Sequence, residues 1–293
     1  MKYFVPATLS EAQDLLKKWK GKARIVAGCT NIIPALRAKV LDPKALINVT
    51  HLKGLSFIKE GKKEISIGGL TAIQELTSSK IIQKYGVILS EAACQFGNPL
   101  IRNRATIGGN LADGSPAADT AVPLLTLDSI VVTDKRKVPI DRFFTGPNRT
   151  VLKTDEIIKE ITFFKPGSHT RMGYLKLGLR NAMAISVVSL AIVVEMEGTR
   201  CRKARIGLGA VAPTPLRAYR TERMLVDVKV TGDLIEACGE EIKEEISPIT
   251  DIRASAEYRR SMTSVLFRRL IQQVSEIAGH EDSAKSYPAE RGN

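Results

Sequence analysis

The sequence predicts a two-domain protein of mixed helix and strand, and three observations carry that prediction. Its 293 residues are about twice the ~150 of a typical domain. Apolar residues make up 44% and charged residues 26% of the chain, which is the composition of an ordinary globular protein. Near residue 168 the texture changes, as short mixed segments give way to longer strands followed by helices.

Each element has a local cause. Thr8-x-x-Glu11 is a capping box, followed by Ala12, Leu15, Leu16 and Trp19 at helical spacing. Arg24-Ile25-Val26 reads as a short strand broken by Gly28, and a helix over 32–39 tolerates Pro34 in its first turn. Leu46–Val49 and Ile65–Ile67 read as strands, and Thr71 with Gln74 repeats the capping-box signal before Ile73 and Leu76. An Ala-rich helix over 87–96 stops at Gly97-Asn98-Pro99. Residues 97–120 then read as one long loop, and loops beyond ~12–15 residues are usually functional. A helix over 117–127, strands at 130–132 and 156–164, long strands at 182–195 and 203–211, and a final helix over 254–278 complete the pattern. Residues 281–293 read as a disordered tail.

The charge narrows the function classes. Lys and Arg exceed Asp and Glu by 13, and ten of those units fall in residues 1–168. Such a surplus invites a nucleic-acid reading. Aromatic residues are only 5% of the chain, however, and the longest basic runs are triplets such as Lys135–Lys137, so stacking platforms are lacking. Four scattered cysteines form no C-x-x-C pair, which removes the usual zinc and dithiol patterns. No apolar segment reaches the ~20 residues of a membrane span, and the first residues lack a secretory pattern. A cytoplasmic location is expected, and no catalytic triad or metal cluster stands out.

Three glycine segments compete for a ligand. Gly207-Leu208-Gly209-Ala210-Val211-Ala212 matches G-x-G-x-x-A, yet Pro213 and Pro215 follow, and a dinucleotide fingerprint must open a helix. Ala27-Gly28-Cys29-Thr30-Asn31 follows a strand and precedes a helix, and Thr106-Ile107-Gly108-Gly109-Asn110 offers similar ingredients. Turns of this kind aim backbone N–H groups at one place and suit a phosphate anion. Each alone also reads as an ordinary structural turn.

Taken with their surroundings, the two turns resemble the FAD-binding medium subunit of the molybdenum hydroxylases, of the xanthine dehydrogenase and carbon monoxide dehydrogenase type. The resemblance covers residues 1–275 through IVAGCTNIIPAL, FGNPLIRNRATIGGNLADGSPAADTAVPLL, LKLGLRNAMAIS, GAVAPTPLRA and DIRASAEYRR, and it sits nearer the xanthine dehydrogenase branch. It implies an α+β fold. A two-subdomain FAD-binding unit of the vanillyl-alcohol oxidase (PCMH) type would span residues 1–168, with subdomains at about 1–55 and 56–168. A carbon monoxide dehydrogenase flavoprotein-like α/β domain, with a three-stranded antiparallel sheet and a helical bundle, would span 169–279. It implies FAD as cofactor, held by Arg24, Ile25, Val26, Ala27, Gly28, Cys29, Thr30 and Asn31 and by Thr106, Ile107, Gly108, Gly109 and Asn110. Phe96, Asp119, Ile158 and Lys176 match further cofactor positions.

The resemblance also implies partners. These are a molybdopterin-containing large subunit and a small subunit with 2Fe–2S clusters in a heterotrimer, with electrons leaving FAD for NAD or another acceptor and no nucleic acid bound. The alternatives are a stand-alone FAD dehydrogenase or oxidase and a flavin-less assembly subunit. One departure stands out. The family has Gly-Gly in the first turn, and here the second position is Cys29, which is either strained at positive φ or rotated into an ordinary conformation.

Overall fold

A computed structural model describes residues 1–180 and 183–275. The first fifty residues form β1 (Lys2–Phe4), α1 (Leu9–Trp19), β2 (Ala23–Val26), α2 (Ile32–Arg37) and β3 (Ala45–Asn48). The strands pair in parallel in the order β1-β3-β2. Helix α1 starts where its capping residues predict: Thr8 Oγ1 accepts the Glu11 N–H at 3.1 Å, and Glu11 Oε2 accepts the Ala7 N–H at 2.8 Å. Its Ala12 and Leu16 bury in a small core with Ile47 and Val49.

The chain continues through β4 (Ile58–Glu60), β5 (Glu64–Gly68), α3 (Ile73–Ser78), α4 (Lys80–Tyr85), α5 (Val87–Cys94), α6 (Pro99–Arg102), α7 (Ile107–Asp113) and α8 (Ala121–Thr126). Then come β6 (Ile130–Thr133), β7 (Lys137–Pro139), a 3-10 turn at Ile140–Arg142, β8 (Phe144–Gly146), β9 (Arg149–Thr150) and β10 (Ile158–Phe164). Five of these strands make an antiparallel sheet, β4-β5-β10-β6-β7, and β8 pairs with β9. Helices α3, α5, α7 and α8 cover its core of Ile65, Ile67, Val131 and Ile161.

Three local expectations need correction. The α3 cap lies one residue later than Thr71, because Glu75 Oε1 accepts the Ala72 N–H at 2.9 Å while Thr71 Oγ1 exchanges hydrogen bonds with the Phe57 backbone. The 97–120 loop contains two helices. Asn98 Oδ1 caps α6 through the Ile101 N–H at 2.8 Å, and Thr106 Oγ1 caps α7 through the Gly109 N–H at 3.0 Å. The helix expected from Ala117 starts at Ala121, since Pro123 has no N–H to donate and fits only in a first turn.

An ion pair between a half-exposed arginine and a buried carboxylate lies beside this sheet's edge strand β7. Arg136 donates from Nε and Nη2 to Glu156, whose side chain is fully buried and also accepts from Thr133 Oγ1 and the Lys153 N–H. Burial alone would raise the Glu156 carboxyl, but these donors together bring it down to about 2.

The rest of the chain forms β11 (Thr170–Leu177), β12 (Val188–Glu197), β13 (Arg200–Gly209), β14 (Leu216–Arg217), α9 (Tyr219–Leu225), β15 (Val228–Lys229), α10 (Gly232–Glu244) and α11 (Ala256–Ser275). Antiparallel β11-β12-β13 is the expected three-stranded sheet, extended to five because β13 also pairs with β14 and β15. The expected strand from residue 182 begins at Val188, and β11 went unpredicted. One face of this sheet, with Val188, Leu190 and Ile192, packs on α10 and α11. The opposite face brings Tyr174, Ala191 and Val193 into the core of the preceding sheet. Gly207 and Gly209 belong to β13 on that second face, where a Cβ would lie 2.7 Å from the Val122 carbonyl and 2.6 Å from Val122 Cγ2 of α8 respectively. They admit a helix rather than a pyrophosphate. The expected end of α11 and the expected tail lie outside the described residues. No described helix is long and apolar enough to cross a membrane.

Candidate cofactor site

The first glycine turn joins β2 to α2. Cys29 sits in the left-handed region with φ +64°, the strained alternative of the two the sequence left open. A left-handed residue within a turn directs consecutive N–H groups to one side. Accordingly, the amides of Gly28, Cys29, Thr30 and Asn31 have no acceptor among the described residues.

The second turn behaves differently. Ile107 N–H donates to the Thr71 carbonyl, Gly108 N–H to the Gly69 carbonyl, Gly109 N–H to Thr106 Oγ1 and Asn110 N–H to the Thr106 carbonyl. The sequence suggested an open N–H cradle here, but these four amides are spent on the fold. What the turn contributes is position. A Cβ on Gly28 would overlap the Arg104 carbonyl, so the two turns touch backbone to backbone. Asn31 Nδ2 donates to Asp113 Oδ2 at 2.8 Å, tying the start of α2 to the end of α7.

From the second turn a chain of contacts leads inward. Asn110 Oδ1 accepts the Thr120 hydroxyl at 2.6 Å, and the next residue back is Asp119. Asp119 Oδ2 receives Lys176 Nζ at 2.7 Å and Oδ1 receives Ser186 Oγ at 2.8 Å. Lys176 Nζ also donates to the Gln95 carbonyl at 3.0 Å, beside Phe96. The side chains of Lys176 and Asp119 are only 4% and 9% exposed. Burial pushes the Asp119 carboxyl above its ordinary value, and the Lys176 ammonium opposes that shift.

Not every sequence-derived residue is brought to this place. Ile25 and Val26 are half-buried and buried strand residues leading to Ala27, whose carbonyl accepts the Cys29 thiol at 3.3 Å. Arg24 stands earlier on β2, where it lines a separate depression of about 310 Å³ with Lys22, Leu41 and Lys44. Ile158 is buried in β10, and its carbonyl lies 2.5 Å from where a Cβ on Gly69 would stand. Gly69 in turn is the residue on which Gly108 rests. Phe96 is half-buried against the core, its carbonyl held by Arg102 Nη1 at 3.2 Å. Sequence reasoning missed Gln95, Tyr174 and Ser186. Ser186 lay in the quoted LKLGLRNAMAIS segment, ten residues after Lys176, and a hydroxyl there was the available signal.

Comparison with known proteins decides the family. The pattern described as "FAD binding domain in molybdopterin dehydrogenase" matches residues 1–164, and that described as "CO dehydrogenase flavoprotein C-terminal domain" matches residues 173–274. The chain belongs to the FAD-binding subunits of the molybdopterin dehydrogenases. It is 30% identical to the nicotinate dehydrogenase FAD-subunit of Eubacterium barkeri, over 93% of this chain and 95% of that protein. It is 29% identical to the xanthine dehydrogenase FAD-binding subunit of Escherichia coli O157:H7, over 94% and 97%. Among solved structures, carbon monoxide dehydrogenase from Hydrogenophaga pseudoflava superposes with a TM-score of 0.91 at 29% identity, covering 94% of this chain and 96% of that one. Equal identities do not separate the xanthine from the carbon monoxide branch.

FAD is the cofactor of this FAD-binding subunit, and the residues present fit it. A flavin dinucleotide brings a diphosphate, and the first turn holds four consecutive amides without acceptors among the described residues. That donor set suits two adjoining phosphate groups.

Proposed function

We propose that this chain is the electron-transfer flavoprotein of a molybdenum hydroxylase complex, taking electrons from 2Fe–2S clusters of a small partner subunit and passing them to NAD or another acceptor. A molybdopterin-containing large subunit would oxidise the organic substrate. Bound FAD supplies the redox chemistry, accepting single electrons and delivering pairs. The observation that carries the reading is the row of open amides at Gly28–Asn31, locked against the Arg104–Asn110 segment.

In this reading the Gly28–Asn31 amides hold the diphosphate, and Thr106 and Asn110 shape the opposite wall. Lys176 and Asp119 fix charge at the inner end of the site, and Phe96 offers an apolar edge near the Gln95 carbonyl that Lys176 meets. Ile158 acts by packing beneath Gly69. The FAD-binding unit is of the vanillyl-alcohol oxidase (PCMH) type over 1–168, and residues 169–279 form the second domain. Native purification with molybdenum, iron and FAD counted per complex tests the proposal. Stoichiometric molybdenum, iron and FAD in one assembly support it; turnover of an organic substrate by the chain alone, without molybdenum or iron, overturns it.

A further inference from the structure

Two segments singled out in the sequence, DIRASAEYRR and GAVAPTPLRA, lie outside the glycine turns, and one side chain joins them. Arg259 stands in the first turn of α11 and is only 2% exposed. A cation there opposes the helix dipole, and a buried guanidinium is unfavourable unless its N–H groups are matched. Helix α11 alone therefore does not explain it. Arg259 Nη1 donates to the Val187 carbonyl at 2.6 Å and to the Ala210 carbonyl at 2.8 Å, while Nη2 donates to Asp251 Oδ1 at 2.8 Å. Asp251 is itself held in place, because Oδ1 accepts the Arg253 N–H at 2.8 Å and Oδ2 accepts Arg253 Nη1 at 2.7 Å.

Both carbonyls lie where the β12–β13 ladder ends, at Ser189 opposite Gly209. The backbone beside each of them reaches the cofactor site. Val187 N–H donates to the Leu177 carbonyl at 2.8 Å, next to Lys176, and the residue before Val187 is Ser186, whose hydroxyl donates to Asp119 Oδ1 at 2.8 Å. Ala210, left-handed at φ +64°, donates its N–H to the Pro116 carbonyl at 2.8 Å, on the segment that leads into Asp119. One guanidinium thus holds two points of backbone, and both grip the chain around Asp119 and Lys176. We propose that Arg259 is a positioning residue for the cofactor site, pinning Val187 and Ala210 so that Ser186 and the Pro116–Asp119 segment hold the Asp119 carboxyl against Lys176.

The residue type fits this task. Its own hydrogen bonds go to neither Asp119 nor Lys176, so Arg259 acts through the backbone it holds. A planar guanidinium fixes several donor directions at once and can serve two carbonyls and a carboxylate together; a lysine ammonium on its flexible stem cannot. A plain staple between α11 and the sheet would be redundant, because Leu266, Phe267, Leu270 and Ile271 already bury against β12 and β13. The inference rests on the proposed placing of FAD beside Asp119 and Lys176 only where cofactor affinity is measured.

Structure and affinity test it separately. A crystal structure of Arg259→Lys, or of Asp251→Ala should the former not fold, should show Ser186 Oγ moved out of hydrogen-bond range of Asp119; an unmoved Ser186–Asp119 contact overturns the proposal. The FAD dissociation constant, read by flavin fluorescence, should rise roughly three- to tenfold in Arg259→Lys, about one hydrogen bond's worth. In an Asp119→Ala background the same substitution should change it by less than about twofold, because the group it positions is gone. Glu156→Gln weakens the fold at Arg136 instead and should leave the constant within about twofold of wild type, so lost stability alone does not imitate the effect. An Arg259→Lys effect of equal size with and without Asp119, or no effect in either, overturns the positioning role. Wild-type protein that takes up no FAD, or Asp119→Ala that binds it like wild type, sinks the placing of FAD instead, and the crystal structure then decides the role of Arg259 by itself.

Discussion

Cys29→Gly should stabilise the protein, against the usual expectation that glycine weakens a chain. Cys29 holds φ at +64°, and an L-residue in the left-handed region costs about 1–2 kcal/mol. Glycine removes that cost but gives back about 0.5–1 kcal/mol through greater freedom in the unfolded chain. The thiol's long contact to the Ala27 carbonyl, 3.3 Å, is lost in any substitution, so Cys29→Ala is the control that keeps the strain and loses the sulfur. The difference between the two variants isolates the backbone and comes to about 0.5–1 kcal/mol. For a chain of this size that raises Tm by roughly 1–4 °C. Thermal unfolding of both variants, each freed of FAD, reads it. A glycine variant melting at or below the alanine variant would refute the reasoning, because the strain would then be absent. FAD binding should survive in both, since the amides belong to the backbone.

Other substitutions probe the remaining structure. Lys176→Ala should cost up to about 3–5 kcal/mol and lower flavin content, because it leaves the buried Asp119 carboxyl without its counter-ion; Lys176→Met with Asp119→Asn should regain most of that stability, and a single variant melting like wild type would show the pair to be idle. Glu156 has a folded pKa of about 2, below its unfolded value, so its stabilisation is present above pH ~4.5 and lost as pH falls toward 2. This amounts to about 2–3 kcal/mol, and Glu156→Gln should show a flatter acid-unfolding profile over that window in denaturant titrations. Gly209→Ala should destabilise by about 1–3 kcal/mol through overpacking on Val122, whereas Gly232→Ala, with open space around it, should leave the urea midpoint nearly unchanged.

Much of the fold was legible because local chemistry set it. Thr8 and Glu11 announced α1, Pro34 allowed α2, and the Gly97-Asn98-Pro99 break ended α5 near its expected place. What failed had physical reasons. Thr71 looked like a cap but turned its hydroxyl to Phe57 across the sheet, a contact that sequence neighbours do not reveal. Strand β11 escaped because both its faces are covered, so Thr170–Leu177 shows no clean alternation. That omission mattered, since β11 carries both Lys176 and Tyr174. The candidate site was legible as two turns, but not the division of labour between them. Whether an amide is open depends on Gly69 and Thr71, some 40 residues from the nearer turn, and only the folded chain brings those carbonyls to Ile107 and Gly108.

The sheet that faces helices on one side and the neighbouring core on the other has a mechanical consequence. Tyr174, Ala191 and Val193 are as much part of the preceding core as Val131 or Ile161, so a cut near residue 168 would divide the sequence without dividing the interior. Apolar contacts of this kind suppress hinge motion between domains. The pair formed by Asp119 from one side of the cut and Lys176 from the other is therefore held at a fixed span. In the proposed role, a flavin resting against this pair would stay in place rather than ride on a swinging domain, and its redox partners would have to come to it.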